Sequence, residues 1–165
     1  MPDETLLVLA TDVRNKTLRL LDGVDEALAR YAPPGLNNTI LWHAGHALVV
    51  VEHLGVAPLT GSRPENGYPA GWFDAFSWKS NPTTVTAWPP LAEVVAALRD
   101  QQSRLTAALR RASDEALDRP VGDPARGRTV RWSVMHGLHD EACHQGELWL
   151  LKKLHAISPR HWGAV

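Results

Sequence analysis

The sequence is poor in cysteine, has no excess of charge of either sign, and lacks an export signal. Cys143 is the single cysteine, which excludes an intrachain disulfide. Lys and Arg total 17 against 18 Asp and Glu, so no general attraction to nucleic acid or to an anionic membrane is expected. No apolar run approaches the ~20 residues of a membrane span, and the N-terminus, "MPDETLL", lacks a basic segment followed by an apolar one. We expect a cytoplasmic protein that binds neither nucleic acid nor membrane.

The length of 165 residues suits one domain, residues 1–165, with a sizeable core. Apolar residues make up 44% and charged residues 21%, which is typical of a globular chain. Histidine and tryptophan are abundant instead, with eight and seven copies. The number of histidines makes a site that uses imidazole groups a possibility to examine.

Apolar residues recur at helical spacing in four long segments, and no convincing strand pattern is present. Asn37 or Asn38 can cap the second segment, and Gly55 follows its last residue. We predict an all-α four-helix bundle with helices over Asp3–Asp22, Thr39–Leu54, about Leu91 to Arg111 and about Thr129 to His155.

The connection between the second and third helices, Val56–Pro90, is long and contains six prolines and three tryptophans. Such a stretch without regular elements is often a lid or a binding loop. Plain packing of its part from Gly67 to Pro90 against the bundle explains the tryptophans equally well.

Two short matches suggest an internal duplication. "DEALAR" (25–30) and "DEALDR" (114–119) each lead through a polar loop to a helix with Trp and, four residues on, His. These pairs are Trp42 with His46, and Trp132 with His136. Chance similarity of helix-forming residues is the alternative.

The fourth helix carries ionisable groups on an apolar side. Asp140 and His144 lie one turn apart, and their side also holds Gly137, Glu147, Leu148 and Leu151. The opposite side is apolar as well, with Met135, Leu138, Ala142 and Trp149. Because a helix that is apolar on two sides must be covered on both, we predict a homodimer packed partly through this helix.

His46 lies on a face of the second helix that is apolar, so three ligands from two helices can be assembled. His46, Asp140 and His144 form a candidate site for Zn²⁺, Ni²⁺ or Fe²⁺. The alternatives are a buried hydrogen-bonded histidine and a simple ion pair between Asp140 and His144. Glu141 and Glu147 are interpreted as facing solvent or surrounding the ligands, and Cys143 as a small buried side chain. Four further histidines are surplus candidates for the site: His43, His53, His136 and His139. His155 and His161 have no predicted role.

Two segments resemble a known family. "LWHAGHALVVVEHL" and, some ninety residues on, "HDEACHQGELWLLKKL" are similar to the DinB/YfiT-like superfamily of metal-binding four-helix bundles. The resemblance implies that His46 is the ligand from the second helix and His144 the last ligand. It departs from the family at Asp140, where His is usual, and at Glu147, where Gln is usual. Some relatives, the mycothiol-dependent maleylpyruvate isomerases, are similar in placing a carboxylate at the position of Asp140.

The resemblance implies a metal-dependent enzyme, a transferase or a hydrolase, that activates a low-molecular-weight thiol or water. His136 and Glu141 are the candidate catalytic residues, as proton carriers or supports of the ligands. The alternative is a metal-binding or structural bundle without turnover. A nucleic-acid-binding protein is not indicated, because the arginines are few and scattered.

Overall fold

The computed structural model describes residues 2–158, which fold into an all-α protein without β-strands. His161 lies outside the described residues. The predicted all-α fold class is confirmed. The helices are α1 (Glu4–Leu21), α2 (Glu26–Ala29), α3 (Ile40–Val51), α4 (Ala57–Thr60), α5 (Trp72–Phe76), α6 (Leu91–Arg111), α7 (Asp114–Asp118) and α8 (Val130–Ala156).

The helices α1 and α8 begin after residues whose side chains accept hydrogen bonds from the first turn, whereas α6 begins after Pro90, which has no such side chain. Asp3 accepts from the Leu6 N–H, and Thr129 accepts from the Trp132 N–H. Such caps satisfy N–H groups that have no partner within the helix, and each is worth about 1 kcal/mol. The predicted bounds of the first, third and fourth helices therefore agree with the structure to within a residue.

The start and the end of the second long helix differ from the prediction. Thr39, rather than Asn37 or Asn38, is the cap and accepts from the Trp42 N–H. Gly55 does not end the helix, because a π-helical turn over Glu52–Val56 continues α3 directly into α4. The chain turns only after Thr60, at a glycine in the left-handed conformation.

This continuity produces one helical stretch, Ile40–Thr60, that is long and apolar enough to cross a membrane by length and composition. The expectation that no run approaches such a length is therefore wrong. In the structure, 83% of its most apolar window is buried inside the protein. A central core helix has the same properties, and every residue of α3 is buried.

The four long helices contact one another in a ring: α3 packs against α8, α8 against α1, α1 against α6, and α6 against α3. Two apolar clusters fill the space between them. The fully buried Phe76 belongs to the first cluster, and burial of such a ring is worth about 1.5–3 kcal/mol.

The connection from residue 57 to residue 90 contains more regular structure than predicted. It includes α4, α5 and a 3₁₀ turn over Pro82–Thr84. Trp72 and Phe76 of α5 are buried against α3, whereas Trp78 is 67% exposed. Part of this segment is therefore an integral layer over α3.

The stacked Trp and His pairs that follow the two matching segments have the same local geometry. The "DEAL" segments themselves differ, because Asp25 within the first segment caps α2, whereas Ser113, which precedes the second segment, caps α7. Trp42 stacks on His46 with ring centroids 4.6 Å apart, and Trp132 stacks on His136 at 4.7 Å. The sequence match therefore has a counterpart in the structure.

Candidate metal centre

The candidate ligands come from the two helices that share the most extensive contact. α3 carries His46, which is buried in the contact with α8. α8 carries Asp140 and His144 one turn apart, and both are partly buried. Segments of the chain that are almost a hundred residues apart are thus joined at one place.

The three side chains converge on a single point. The Oδ2 atom of Asp140 lies 3.7 Å from Nε2 of His46 and 3.4 Å from Nε2 of His144. One ligand atom from each residue lies within 4.8 Å of the others. The structure therefore brings together the residues that the sequence analysis selected.

Oδ2 of Asp140 is buried and has no hydrogen-bond partner, the one such side-chain nitrogen or oxygen among the described residues. A buried polar atom without a partner costs about 1–3 kcal/mol, and more when it carries charge. This oxygen lies between two imidazole nitrogens, and a cation bound there would compensate for the cost of burying it.

The distances also suit a tetrahedral ion. With bonds of about 2.0–2.1 Å, two ligand atoms on Zn²⁺ lie about 3.3 Å apart. The separations of 3.4 and 3.7 Å in this cluster are close to that value. Two imidazoles and one carboxylate are ligands that Zn²⁺, Ni²⁺ and Fe²⁺ all accept. The residues present therefore fit a divalent metal ion.

The orientation of His46 is fixed by the connection above it. Its Nδ1 lies 2.6 Å from the main-chain carbonyl oxygen of Phe76. A carbonyl can only accept, so Nδ1 carries the hydrogen and Nε2 is left with its lone pair. Trp42 covers one face of the ring, and its Nε1 donates to Ser80 in the same connection.

His144 is oriented by Glu147, which the sequence analysis left as facing solvent or surrounding the ligands, and by His43, which it left as a surplus candidate. Its Nδ1 lies 2.5 Å from Oε2 of Glu147. The buried His43 directs its own Nδ1 at the same oxygen, at 2.9 Å. His144 and His43 hold the pKa of the Glu147 carboxyl well below its ordinary value, so this acceptor stays ionised. Helical spacing could have indicated both, because each lies three residues from a ligand.

The charges of the three ligands differ at neutral pH. Burial lowers the pKa of His46, although the Phe76 carbonyl acts in the opposite direction. The neighbouring His144 imidazole lowers the pKa of the Asp140 carboxyl. Burial acts to lower the pKa of His144 as well, but the Asp140 and Glu147 carboxylates outweigh it and raise that pKa to about 9. A cation would therefore have to displace a proton from His144.

Glu141 lies in a different set of contacts. Its carboxylate is buried and accepts from the Arg14 guanidinium at 2.8 and 3.0 Å and from the Thr17 hydroxyl at 2.6 Å. Arg14 also donates to the Leu98 carbonyl and to Gln101. This placement favours a structural role for Glu141 over proton transfer.

The other candidates lie at the surface. His136 is exposed and stacks on Trp132, one turn before Asp140. Cys143 is exposed rather than buried, so the interpretation as a small core side chain is wrong; its sulfur lies 3.8 Å from His139. His53 is exposed on the π-helical turn.

A second polar cluster was missed entirely by the sequence analysis. The buried carboxylate of Glu52 accepts from Tyr68, Gln101 and Arg104. It borders a cavity of about 1050 Å³ between the π-helical turn, residues 60–72 and α6. The lining of this cavity does not include the three candidate ligands.

A family model described as the DinB superfamily matches residues 9–148, most of the chain and all three candidate ligands. The chain belongs to the DinB superfamily. Comparison of this DinB protein with curated proteins gives no match. The family that the two quoted segments resemble is thus confirmed.

Proposed function

We propose that this DinB protein binds one divalent cation through Nε2 of His46, Oδ2 of Asp140 and Nε2 of His144, and acts with it as a metal-dependent enzyme. The unpartnered, buried Oδ2 of Asp140, facing two imidazole nitrogens, carries the proposal. Zn²⁺, Ni²⁺ and Fe²⁺ suit these ligands.

A divalent ion with three protein ligands keeps an open position, at which it lowers the pKa of a water molecule or a thiol. The family resemblance favours a low-molecular-weight thiol as the activated group, in a transferase-like reaction. The chain's own part is to hold the ligands in place and to exclude water. Trp42 and the connection that contacts it cover the His46 side of the site.

His136 is the candidate for proton exchange with solvent. Its imidazole is exposed, and it lies one turn from Asp140 on α8. Imidazole is the side chain that most often transfers protons in enzymes. Glu141 is engaged with Arg14 and is not proposed for this step.

A purely structural ion is the second candidate, because the three ligands tie α3 to α8. A structural ion contributes directly to the free energy of unfolding. The two candidates therefore differ in what removal of the ion does to the fold.

Metal analysis of the purified chain and of His144→Ala tests the proposal. We expect about one ion per chain in wild type and loss of the ion in the variant. A variant melting temperature close to that of metal-loaded wild type favours an open catalytic site, whereas loss of the helical signal favours a structural ion. His53→Ala, which removes an exposed imidazole, is the control and should keep the ion. Wild type that binds no divalent ion after incubation with Zn²⁺, Ni²⁺ or Fe²⁺ would refute the proposal.

The thiol is tested separately by thermal shift with mycothiol, bacillithiol and glutathione. A ligand at 100 times its dissociation constant stabilises the folded state by about 2.7 kcal/mol, which is readily measured. We expect one of the three thiols to raise the melting temperature of the metal-loaded protein and to leave that of the metal-stripped protein unchanged. Equal shifts with and without metal would contradict thiol activation.

A further inference from the structure

The carboxylate of Glu147 lies beside the proposed metal site but is directed at the far side of a ligand. Oε2 of Glu147 contacts Nδ1 of His144, whereas Asp140 lies on the side of Nε2. The two nitrogens of one imidazole point away from each other, so Glu147 and the proposed cation would occupy opposite sides of the His144 ring.

The direction of this hydrogen bond decides which nitrogen of His144 is free. An ionised carboxylate has only acceptors, so Nδ1 of His144 carries the hydrogen that it donates to Glu147. The neutral ring then keeps its lone pair on Nε2, the nitrogen that faces Asp140. A rotated or tautomerised ring would present an N–H to the cation instead.

The side chain of Glu147 is itself restrained. It is about half exposed, and a free glutamate at a helix surface samples several rotamers. Nδ1 of His43 lies 2.9 Å from the same oxygen, and His43 belongs to α3 and is buried. This contact joins α8 to α3 and holds the carboxylate against the His144 ring.

We propose that Glu147, held in place by His43, is a positioning residue that fixes the metal-binding tautomer and orientation of His144. This inference rests on the proposed metal site. Carboxylates that accept from a metal-bound histidine restrain the ring and increase its basicity, and their removal costs 10–100-fold in metal affinity. His46 is held differently, by the main-chain carbonyl of Phe76.

The same three atoms, on His43, His144 and Glu147, lie close enough to form a second group of potential metal ligands. Oε2 of Glu147 lies at hydrogen-bond distance from both Nδ1 atoms, 2.5 Å from that of His144 and 2.9 Å from that of His43, so each nitrogen can donate to this oxygen. Asp140 in the first group has no such partner. The geometry therefore assigns the cation to the Asp140 side and the hydrogen bonds to the Glu147 side.

The test uses the metal-stripped full chain titrated with Co²⁺, followed by competition with Zn²⁺, in wild type, Glu147→Ala and Glu147→Gln. We expect Glu147→Ala to weaken binding 10–100-fold. Glu147→Gln should stay within a few-fold of wild type, because its amide oxygen also accepts from Nδ1. Glu115→Ala, an exposed glutamate on α7, should leave the affinity unchanged.

The tautomer is read directly by ¹⁵N NMR of histidine in the Zn²⁺-loaded wild type. We expect His144 to carry its hydrogen on Nδ1 and the ion on Nε2. An ion on Nδ1 would overturn the inference, whatever the variants do.

The outcomes distinguish this inference from the proposed function. Wild type that binds no ion refutes both. Wild type that binds one ion, with unchanged affinity and tautomer in Glu147→Ala, refutes the positioning role alone. Two ions per wild-type chain and one in Glu147→Ala would show that Glu147 is a ligand of a second site.

Discussion

At the residue scale, the position of one hydrogen on each imidazole decides which nitrogen can bind a cation. In His46 and in His144 the Nδ1 hydrogen is donated to an acceptor outside the ligand set. Both rings consequently direct Nε2 at Asp140. The free imidazole in solution divides its hydrogen between both nitrogens, so these contacts fix which nitrogen can bind an ion, in His144 once Nε2 has lost its proton.

The proton on His144 makes metal binding dependent on pH. Its pKa is raised to about 9, so at pH 7 the metal-stripped protein holds a proton that an unperturbed histidine would mostly have lost. A cation displaces this proton, and apparent affinity should therefore rise about tenfold per pH unit until it levels off near pH 9.

Calorimetric titration with Zn²⁺ in buffers of different ionisation enthalpy measures this release, which should be about one proton per ion at pH 7. An affinity that does not change between pH 7 and pH 9 would contradict the raised pKa of His144.

The sequence selected the three candidate ligands but did not establish the groups that orient them. Asp140 and His144 share a helix side by arithmetic alone, His46 lies on an apolar face of the second helix, and the family resemblance supported the same three residues. Glu147 and His43 contribute through a contact between α3 and α8, and Phe76 through a main-chain oxygen. Their spacing of three residues from a candidate ligand could have indicated Glu147 and His43, but helical periodicity does not show that the two side chains meet between α3 and α8.

At the element scale, a buried polar network fixes the rotation of α8 about its own axis. Glu141 bonds to Arg14 and Thr17 of α1, and Gln145 donates to Thr17 and to the Val13 carbonyl. These two residues each follow a candidate ligand directly. A turn of α8 that broke these bonds would also move Asp140 and His144 away from α3.

Replacement of Glu141 by alanine tests this network. The buried Arg14 would lose its counter-charge, which costs about 3–5 kcal/mol when one partner of a buried pair is removed. Urea unfolding followed by circular dichroism measures the loss. Arg126→Ala removes an exposed ion pair with Asp123 and should cost less than about 1 kcal/mol. Equal costs for the two variants would show that the network contributes little.

Gly45 allows α5 to lie directly on α3. A Cβ at this position would come within 2.2 Å of the Phe76 ring, which is fully buried. We expect Gly45→Ala to cost about 1–3 kcal/mol in stability and to weaken metal binding, because the Phe76 carbonyl must move away from His46.

Gly146→Ala is the matched control, since a Cβ at Gly146 meets nothing within 4 Å. It should be neutral or stabilising by about 0.5–1 kcal/mol. Thermal melting and Co²⁺ titration of both variants provide the comparison. Unchanged metal affinity in Gly45→Ala would show that metal binding does not depend on the packing of α5 against α3.

The bounds of α1, α6 and α8 were predictable because capping residues, proline and glycine mark them locally in the sequence. The extent of the second helix was not, since Gly55 reads as a stop but lies buried in a continuous helical path. Complete burial of α3 also exceeds what periodicity indicates, because a helix surrounded on all sides has no polar face to reveal its orientation.

At the scale of the whole molecule, the two matching segments each lead to a capped helix with a stacked Trp and His pair, but of these two pairs only the first contains a candidate ligand. Thr39 and Thr129, 90 residues apart, cap α3 and α8 in the same way. His136 is the counterpart of His46, but it lies at the surface. The halves thus share local geometry while one of them alone contributes a buried imidazole to the candidate site.

The predicted homodimer depends on apolar side chains that α8 and α1 leave exposed. Met135 and Trp149 are 50% and 52% exposed, and Val8 of α1 is 66% exposed. Apolar surface of this kind is commonly covered by a partner. Light scattering after size exclusion should give twice the chain mass of 18.2 kDa.

Trp149→Arg should shift the protein to the mass of one chain, because a charge would be buried in the interface. Trp78→Arg changes an exposed tryptophan of the connection and should leave the mass unchanged. A wild type with the mass of one chain at every concentration would refute the dimer.

The acceptor that restrains His46 belongs to the peptide backbone, so it is present whatever amino acid stands at position 76. This bond therefore constrains the path of the chain at position 76 and not the side chain there, whose burial in the core is a separate requirement. An exposed side chain of the same connection, such as Trp78, can be replaced without removing the acceptor of His46.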